Sequence, residues 1–207
     1  MDTQEKYPNI QTKIRIQTLM ELAGDLKDKV VLDLGASKIT LTEKARAKKI
    51  ITLDVSDEKK MTIKCDLNVD KIPLKDNSID IILAGELIEH IPHTLFFLSE
   101  CKRVLKNDGS LILSTPNICS LVDRIKMLFG AIPGQCARYN RQGKDDYNMH
   151  VRDFNLKEII LALELAGLKL IKAKSNGIIS HSKLFFPVKL TPVTFGDTLI
   201  LKVGHKK

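Results

Sequence analysis

Three short apolar runs, each carrying an aspartate near its carboxyl end, follow one another along the chain and limit the fold more than any other feature. They are residues 30–35 (VVLDLG), 50–55 (IITLDV) and 62–67 (TIKCDL), with Asp33, Asp54 and Asp66 in those places. Two further runs, 79–83 (IDIIL) and 110–114 (SLILS), have the same character. Their apolar residues are nearly continuous instead of alternating, which is the pattern of strands covered on both faces. Helical periodicity separates them. Ile10, Ile14, Leu19 and Leu22 suit a leading amphipathic helix. Thr94 predicts a cap for a helix carrying Leu95, Leu98, Cys101, Val104 and Leu105 on one face, stopped by Asn107-Asp108-Gly109. Asn155 and Glu158 form a capping-box pattern ahead of Ile159, Ile160, Leu163 and Ala166, with Gly167 as the stop. Residues 168–173 and 198–203 read as two last strands. Alternating strands and helices imply an α/β fold, a mostly parallel sheet with helices on both faces.

A chain of 207 residues is the size of one domain. Residues 118–150 and 180–196 break the alternation and read as excursions over the sheet edge, where a substrate cap would sit. With 43% hydrophobic and 28% charged residues, the composition excludes a disordered or collagenous chain. No stretch approaches the roughly 18 consecutive apolar residues of a membrane span, and the N-terminus has no signal-peptide core, so a cytoplasmic protein is expected. Cys65, Cys101, Cys119 and Cys136 form no C-x-x-C pair, which argues against a zinc ribbon or redox dithiol. The net charge of +8 is unevenly spread: residues 169–207 carry +7 and residues 1–168 only +1. That basic end is either a solvated edge or the approach for an anionic substrate or partner. With no Trp, three Tyr and seven Phe, the chain has no basic run interleaved with aromatics, so nucleic-acid binding has thin support.

In open α/β sheets ligands bind beyond the carboxyl ends of the strands. Asp54 follows Asp33 by 21 residues, the place from which a carboxylate accepts hydrogen bonds from both hydroxyls of a ribose. Asp66 is placed to accept from an exocyclic amine of a base, and Asp33 to face an ammonium group. Each aspartate alone is equally a turn former or helix cap. The loop after the first strand, Gly35-Ala36-Ser37-Lys38-Ile39-Thr40, lacks the G-x-G-x-x-G by which backbone amides approach a pyrophosphate. A ligand with an adenosine, no phosphate and a cationic chain fits this loop better, which describes S-adenosyl-L-methionine.

The chain resembles class I S-adenosylmethionine-dependent methyltransferases of the small-molecule type over roughly residues 25–205. VVLDLGAS resembles the family's first motif, ITLDVS the second and IKCDLN the segment after it. IDIILAGELIEHI followed by RVLKNDGSLILSTPN resembles its fourth-to-fifth-strand block, and MHVRDFNLKEI with LELAGLKLI the region before its sixth strand. The resemblance implies a Rossmann-like seven-stranded mixed sheet with the last strand antiparallel. It also implies S-adenosyl-L-methionine as cofactor, with Asp33, Gly35 and Ser37 along its methionine part, Asp54 and Val55 at the ribose and adenine face, Asp66 and Leu67 at the adenine edge, and Ala84 to Glu86 beneath the sulfonium. Ser37 and Ile39 replace two glycines of the family loop. Because a β-branched residue crowds a close backbone approach, a non-catalytic cofactor-binding module is a further reading.

Glu86, Glu89 and His90 follow the fourth strand, and His150 precedes the Asn155 helix. On one helical turn, Glu86 and Glu89 or His90 would share a face and offer ligands for a divalent ion. Sets like this, completed by a later histidine, bind metal in resembling subfamilies that methylate polyprenyl-phenols or the terminal ribose of small RNAs. The alternative is that Glu86 contacts the cofactor while Glu89 caps or pairs. His90 and His150 are the candidate bases for taking a proton from the acceptor, and Arg152 either binds an anionic substrate group or pairs on the surface around Asp153. The leading expectation is therefore methyl transfer to oxygen or nitrogen of a small-molecule or glycan-like acceptor. Metal-assisted RNA 2′-O-methylation is the second.

Overall fold

A computed structural model describes residues 10–36, 40–42, 45–56, 62–133, 150–180 and 183–206. Its centre is a seven-stranded sheet in the order β3-β2-β1-β4-β5-β9-β6. The strands are β1 (Val30–Leu34), β2 (Lys49–Asp54), β3 (Ile63–Lys64), β4 (Ile79–Gly85), β5 (Leu105–Pro116), β6 (Leu168–Ser175) and β9 (Thr198–His205). β1 to β5 pair in parallel, and β9 lies antiparallel between β5 and β6. This is the mixed sheet with an antiparallel last strand that the sequence implied. A separate hairpin, β7 (Ile178–Ser180) with β8 (Lys183–Phe186), stands in the second excursion, which the sequence reading had left without structure.

Strand alternation explains why the runs were apolar throughout. Leu32, Leu34, Ile82, Ala84, Leu111 and Leu113 face a layer formed by α2 (Thr94–Val104) and α4 (Leu156–Leu165), through Phe97, Leu98, Cys101, Val104, Ile159 and Leu163. Val31, Ile81, Leu83, Ile112 and Ile200 face the opposite layer, where α1 (Ile10–Ala23) supplies Ile16, Leu19, Leu22 and Ala23. Each sheet face is thus buried against helix, and neither could be polar at low cost. Within α1 the buried face holds Arg15, Ile16, Thr18, Leu19, Leu22 and Ala23, while the expected Ile10 is exposed.

Several boundaries moved for physical reasons. β3 shrinks to two residues because Asp66 leaves the ladder, its carboxylate accepting from the Asn68 backbone N–H (3.0 Å) and side-chain amide (2.8 Å). β5 starts at Leu105 and not at 110, because Asn107-Asp108-Gly109 is a bulge in the strand and not a helix stop. A Cβ on Gly109 would lie 2.8 Å from Leu105 Cδ1 and 2.9 Å from the Asp80 carbonyl, so the bulge needs glycine. The α2 cap position is His93, and the Thr94 hydroxyl instead donates back to the Ile91 carbonyl (3.0 Å). Asn155 does cap α4, accepting from the N–H groups of Lys157 (2.9 Å) and Glu158 (3.0 Å). Asn155→Ala is expected to lower unfolding free energy by about 1 kcal/mol, measured by urea denaturation. Among the described residues no helix is long and apolar enough to cross a membrane.

Candidate active site

The register of the parallel strands lines up their carboxyl ends. Leu34 stands opposite Leu53 and Ala84, so the next residues, Asp54, Gly35 and Gly85, form a row that Ser114 of β5 continues. At Gly35 the chain turns with φ of +70°, its N–H donating to the Leu53 carbonyl (2.9 Å). A Cβ there would meet Leu87 Cδ1 at 3.2 Å, so glycine meets both a conformational and a spatial need. Asp54 is buried at 8% exposure, with one carboxylate oxygen accepting from the Ser56 N–H (2.8 Å), and Val55 beside it is exposed. Asp33 is fully buried, and its Oδ2 accepts from both the backbone N–H (3.0 Å) and hydroxyl (2.9 Å) of Thr42, which ties down the far end of the glycine loop. Asp66 is half-buried in its turn, Leu67 packs into the core, and Ala84 is fully buried as part of the floor. Ser37 lies outside the described residues.

Glu86 leaves β4 with φ of +52°, a left-handed backbone that a non-glycine residue adopts only when its surroundings hold it there. Its N–H donates to the Ser114 carbonyl (3.0 Å), its Oε1 accepts from the Ser114 hydroxyl (3.1 Å), and Arg15 Nη1 lies 3.6 Å from the same oxygen. Arg15 is a site residue that the sequence reading missed. It comes from α1, is 7% exposed, and also reaches Ser114 Oγ at 3.4 Å. The available signal was its spacing: Arg15, Leu19 and Leu22 stand at i, i+4 and i+7, so an arginine occupies the apolar stripe.

The left-handed turn at Glu86 separates it from the residues that follow. Ile88–His90 form a 3-10 turn on which Glu89 points inward at 1% exposure. The returning chain closes on that turn, the N–H groups of Val151 and Arg152 both donating to the Glu89 carbonyl (3.0 and 3.2 Å). That brings His150 against His90, with ring centroids 5.1 Å apart and nearly perpendicular. A carboxylate oxygen of Glu89 and a ring nitrogen from each of His90 and His150 lie within 4.8 Å of one another. Glu86 is not in this group, so the expected face of Glu86, Glu89 and His90 gives way to Glu89, His90 and His150. His150 Nδ1 faces Asp153 Oδ1 at 3.5 Å.

The electrostatics here are unusual. Among the described residues neither Glu89 oxygen makes a hydrogen bond of good geometry, and the Thr115 hydroxyl close by opposes the effect of burial on it only weakly. Burial, followed by the charge of Glu86, pushes the Glu89 carboxyl up to about 8. Burial also raises Glu86, opposed by Arg15, Ser114 and His150. A buried carboxyl with raised pKa and unfilled oxygens, facing two imidazoles at the strand ends, is a constellation that structural packing alone does not need.

A family model described as a hypothetical methyltransferase matches residues 2–171. The chain belongs to this methyltransferase family. A Mycolicibacterium smegmatis protein named as an S-adenosylmethionine-dependent methyltransferase is 32% identical over 102 residues, 49% of this chain and 33% of that protein. The ubiquinone biosynthesis O-methyltransferase of Nitrosomonas europaea is 28% identical over 119 residues, 50% of this chain and 51% of its own length. The chain thus matches between a third and a half of these relatives. Among solved structures, an S-adenosylmethionine-dependent methyltransferase from Thermotoga maritima shares the fold with a TM-score of 0.68 at 20% identity, covering 94% of this chain and 89% of that one. The methyltransferases it matches are named as S-adenosylmethionine-dependent, and here Asp54, Gly35 and Gly85 stand in a row at the strand ends with Val55 exposed beside them.

Proposed function

We propose that this chain transfers a methyl group from S-adenosyl-L-methionine to an oxygen or nitrogen of a small-molecule or glycan-like acceptor. The observation that carries the reading is the buried Glu89 carboxyl, without a hydrogen bond of good geometry, facing His90 and His150 next to the row of Asp54, Gly35 and Gly85. When bound, the cofactor supplies an electrophilic methyl on a sulfonium. Asp54 would accept from the ribose hydroxyls, with Val55 against the adenine face and Asp66 with Leu67 at its edge. Asp33, Gly35, Ser37 and Arg15 would surround the methionine part, and Ala84 to Glu86 would lie beneath the sulfonium. His150 would take the acceptor proton through Nε2, its Nδ1 held toward Asp153, with His90 as the second base. Residues 118–150 and 180–196, in a single domain, would cap the acceptor.

A second reading is supported by the ligand geometry. One carboxylate oxygen and two imidazole nitrogens at this spacing suit a divalent ion, which would act as a Lewis acid on an acceptor hydroxyl such as a ribose 2′-OH of RNA. Chelator-insensitive turnover with no salt-dependent RNA binding would dismiss it. Titration calorimetry with the cofactor tests the leading reading. Micromolar binding is expected for the wild type, and Asp54→Ala is expected to weaken it by about 10–50-fold. Absence of wild-type binding would refute the assignment, whereas binding without turnover on any acceptor would leave a cofactor-binding module.

A further inference from the structure

Two opposite charges are buried at the strand ends with binding capacity left on both. Arg15, 7% exposed, meets Ser114 Oγ (3.4 Å) and Glu86 Oε1 (3.6 Å) through Nη1 alone. Its Nε and Nη2 make no hydrogen bond among the described residues. Arginines with a structural task in this chain use that edge. Arg103 commits Nε, Nη1 and Nη2 to Glu100, Asp76 and the Ile72 and Leu74 carbonyls. Arg124, in α3 (Leu121–Leu128), donates through Nε to the Cys119 carbonyl (2.7 Å) and through Nη2 to the Thr194 carbonyl (3.2 Å). Glu86 is open in the same way as Arg15. Its Oε1 accepts from the Ser114 hydroxyl, while Oε2 makes no hydrogen bond among the described residues. Glycine would take its φ of +52° without strain, so what the position keeps is the carboxylate.

Both groups flank the row of strand ends. A Cβ on Gly85 would lie 3.4 Å from Arg15 Nη1, and Gly85 stands beside Gly35 in that row. We propose that Arg15 and Glu86 clamp the α-amino-acid end of S-adenosyl-L-methionine, the open Nε–Nη2 edge of Arg15 taking its carboxylate and Glu86 Oε2 its ammonium. This deepens the cofactor reading above, on which it rests and in which Glu86 had only a place beneath the sulfonium. One cation and one anion, spaced by the Ser114 hydroxyl they share, match a zwitterion better than a lone acid or amine. The guanidinium edge fits a carboxylate in a bidentate fork. Burial keeps water from screening either contact. The sequence supplies the reason for a side-chain clamp. Ser37 and Ile39 stand where the family loop has glycines, and a β-branched residue crowds the backbone approach by which that loop would hold the same end.

Titration calorimetry with four probes tests the clamp. S-adenosylhomocysteine keeps the amino-acid end, 5′-methylthioadenosine lacks it, and two analogues of the former lack only the carboxylate or only the amine. The wild type is expected to bind S-adenosylhomocysteine at least about 100-fold more tightly than methylthioadenosine, and each truncated analogue about tenfold or more below the parent. Arg15→Met is expected to weaken S-adenosylhomocysteine about 10–50-fold and Glu86→Gln about 5–20-fold, with methylthioadenosine within about twofold for both. The analogue without a carboxylate should not be weakened by Arg15→Met, nor the one without an amine by Glu86→Gln. Equal losses for S-adenosylhomocysteine and methylthioadenosine would make the pair structural and overturn the proposal. The analogues act on the unmutated protein, so the test does not depend on either variant folding. A wild type that binds methylthioadenosine and gains nothing from the amino-acid end keeps the cofactor reading and loses the clamp; one that binds neither probe loses both.

Discussion

Glu89→Gln is expected to lower methyl-transfer turnover by about 10²–10⁴-fold while leaving cofactor affinity within a few-fold of the wild type. The substitution separates two roles that burial alone does not distinguish. Glutamine keeps the volume and polarity of a neutral carboxyl, so a Glu89 that merely filled space between β5 and the strap carrying His150 would tolerate it. The carboxyl is 1% exposed, neither oxygen makes a hydrogen bond of good geometry among the described residues, and burial with the Glu86 charge raises it to about 8. Such a group costs stability when ionised, and retaining it without a local partner makes sense where a cation, a proton in transit or an acceptor fills the gap. The measurement pairs steady-state turnover with calorimetry on the same preparation. Turnover within about threefold of the wild type would remove Glu89 from the chemistry. If a divalent ion raises the wild-type melting temperature and leaves that of the variant unmoved, the metal reading gains over the proton-transfer reading.

The parts of this fold legible in the sequence are those governed by local pattern. Continuous apolar runs such as VVLDL identified strands because both sheet faces are covered, and Asn155 identified the start of α4 because a side-chain cap acts within three residues. Asp54 was legible as a strand-end acid for the same reason. What escaped depends on contacts distant in sequence. Arg15 reads as one more charge on an amphipathic helix until Ser114, 99 residues away, supplies its partner. Glu86 reads as the start of a helical turn, and the pattern does not register that its backbone takes φ of +52° and turns the carboxylate toward Arg15. His150 was a candidate on residue type, but its place beside His90 comes from two backbone bonds to the Glu89 carbonyl. The bulge at Gly109 was misread because Asn-Asp-Gly after a helical pattern is also a helix stop, and the pairing of Leu105 with Ile79 distinguishes the two.

Arg103→Ala is expected to give the largest loss of stability of the substitutions considered, about 2–4 kcal/mol, or a melting temperature lower by roughly 5–12 °C. Arg103 holds Glu100 through both carboxylate oxygens (2.9 and 2.7 Å) and donates to the carbonyls of Ile72 (2.8 Å) and Leu74 (2.9 Å). Glu100, 6% exposed, in turn accepts from the Ile72 N–H at 2.9 Å. The pair therefore fastens the segment between β3 and β4, which carries Asp66, onto α2. Truncation leaves a buried carboxylate with one backbone donor, releases Asp76 (2.6 Å from Arg103) and takes the arginine from the Leu74 carbonyl, while the Ile72 carbonyl keeps the Leu74 N–H (2.7 Å); Arg103→Lys restores charge but not the fork, and should recover less than half. The pH dependence fixes the cause. Arg103 holds the Glu100 carboxyl below its ordinary value, so its contribution is present above the unfolded pKa of about 4.3 and is lost as pH falls through the lower folded value. The gap between wild type and variant should stay constant from about pH 8 to 5.5 and narrow below about pH 4. A gap unchanged at pH 3.5 would assign the loss to the carbonyl contacts and not to the ion pair. Because Asp66 rides on this segment, weaker cofactor binding by the folded variant would tie the pin on α2 to the adenine side of the site.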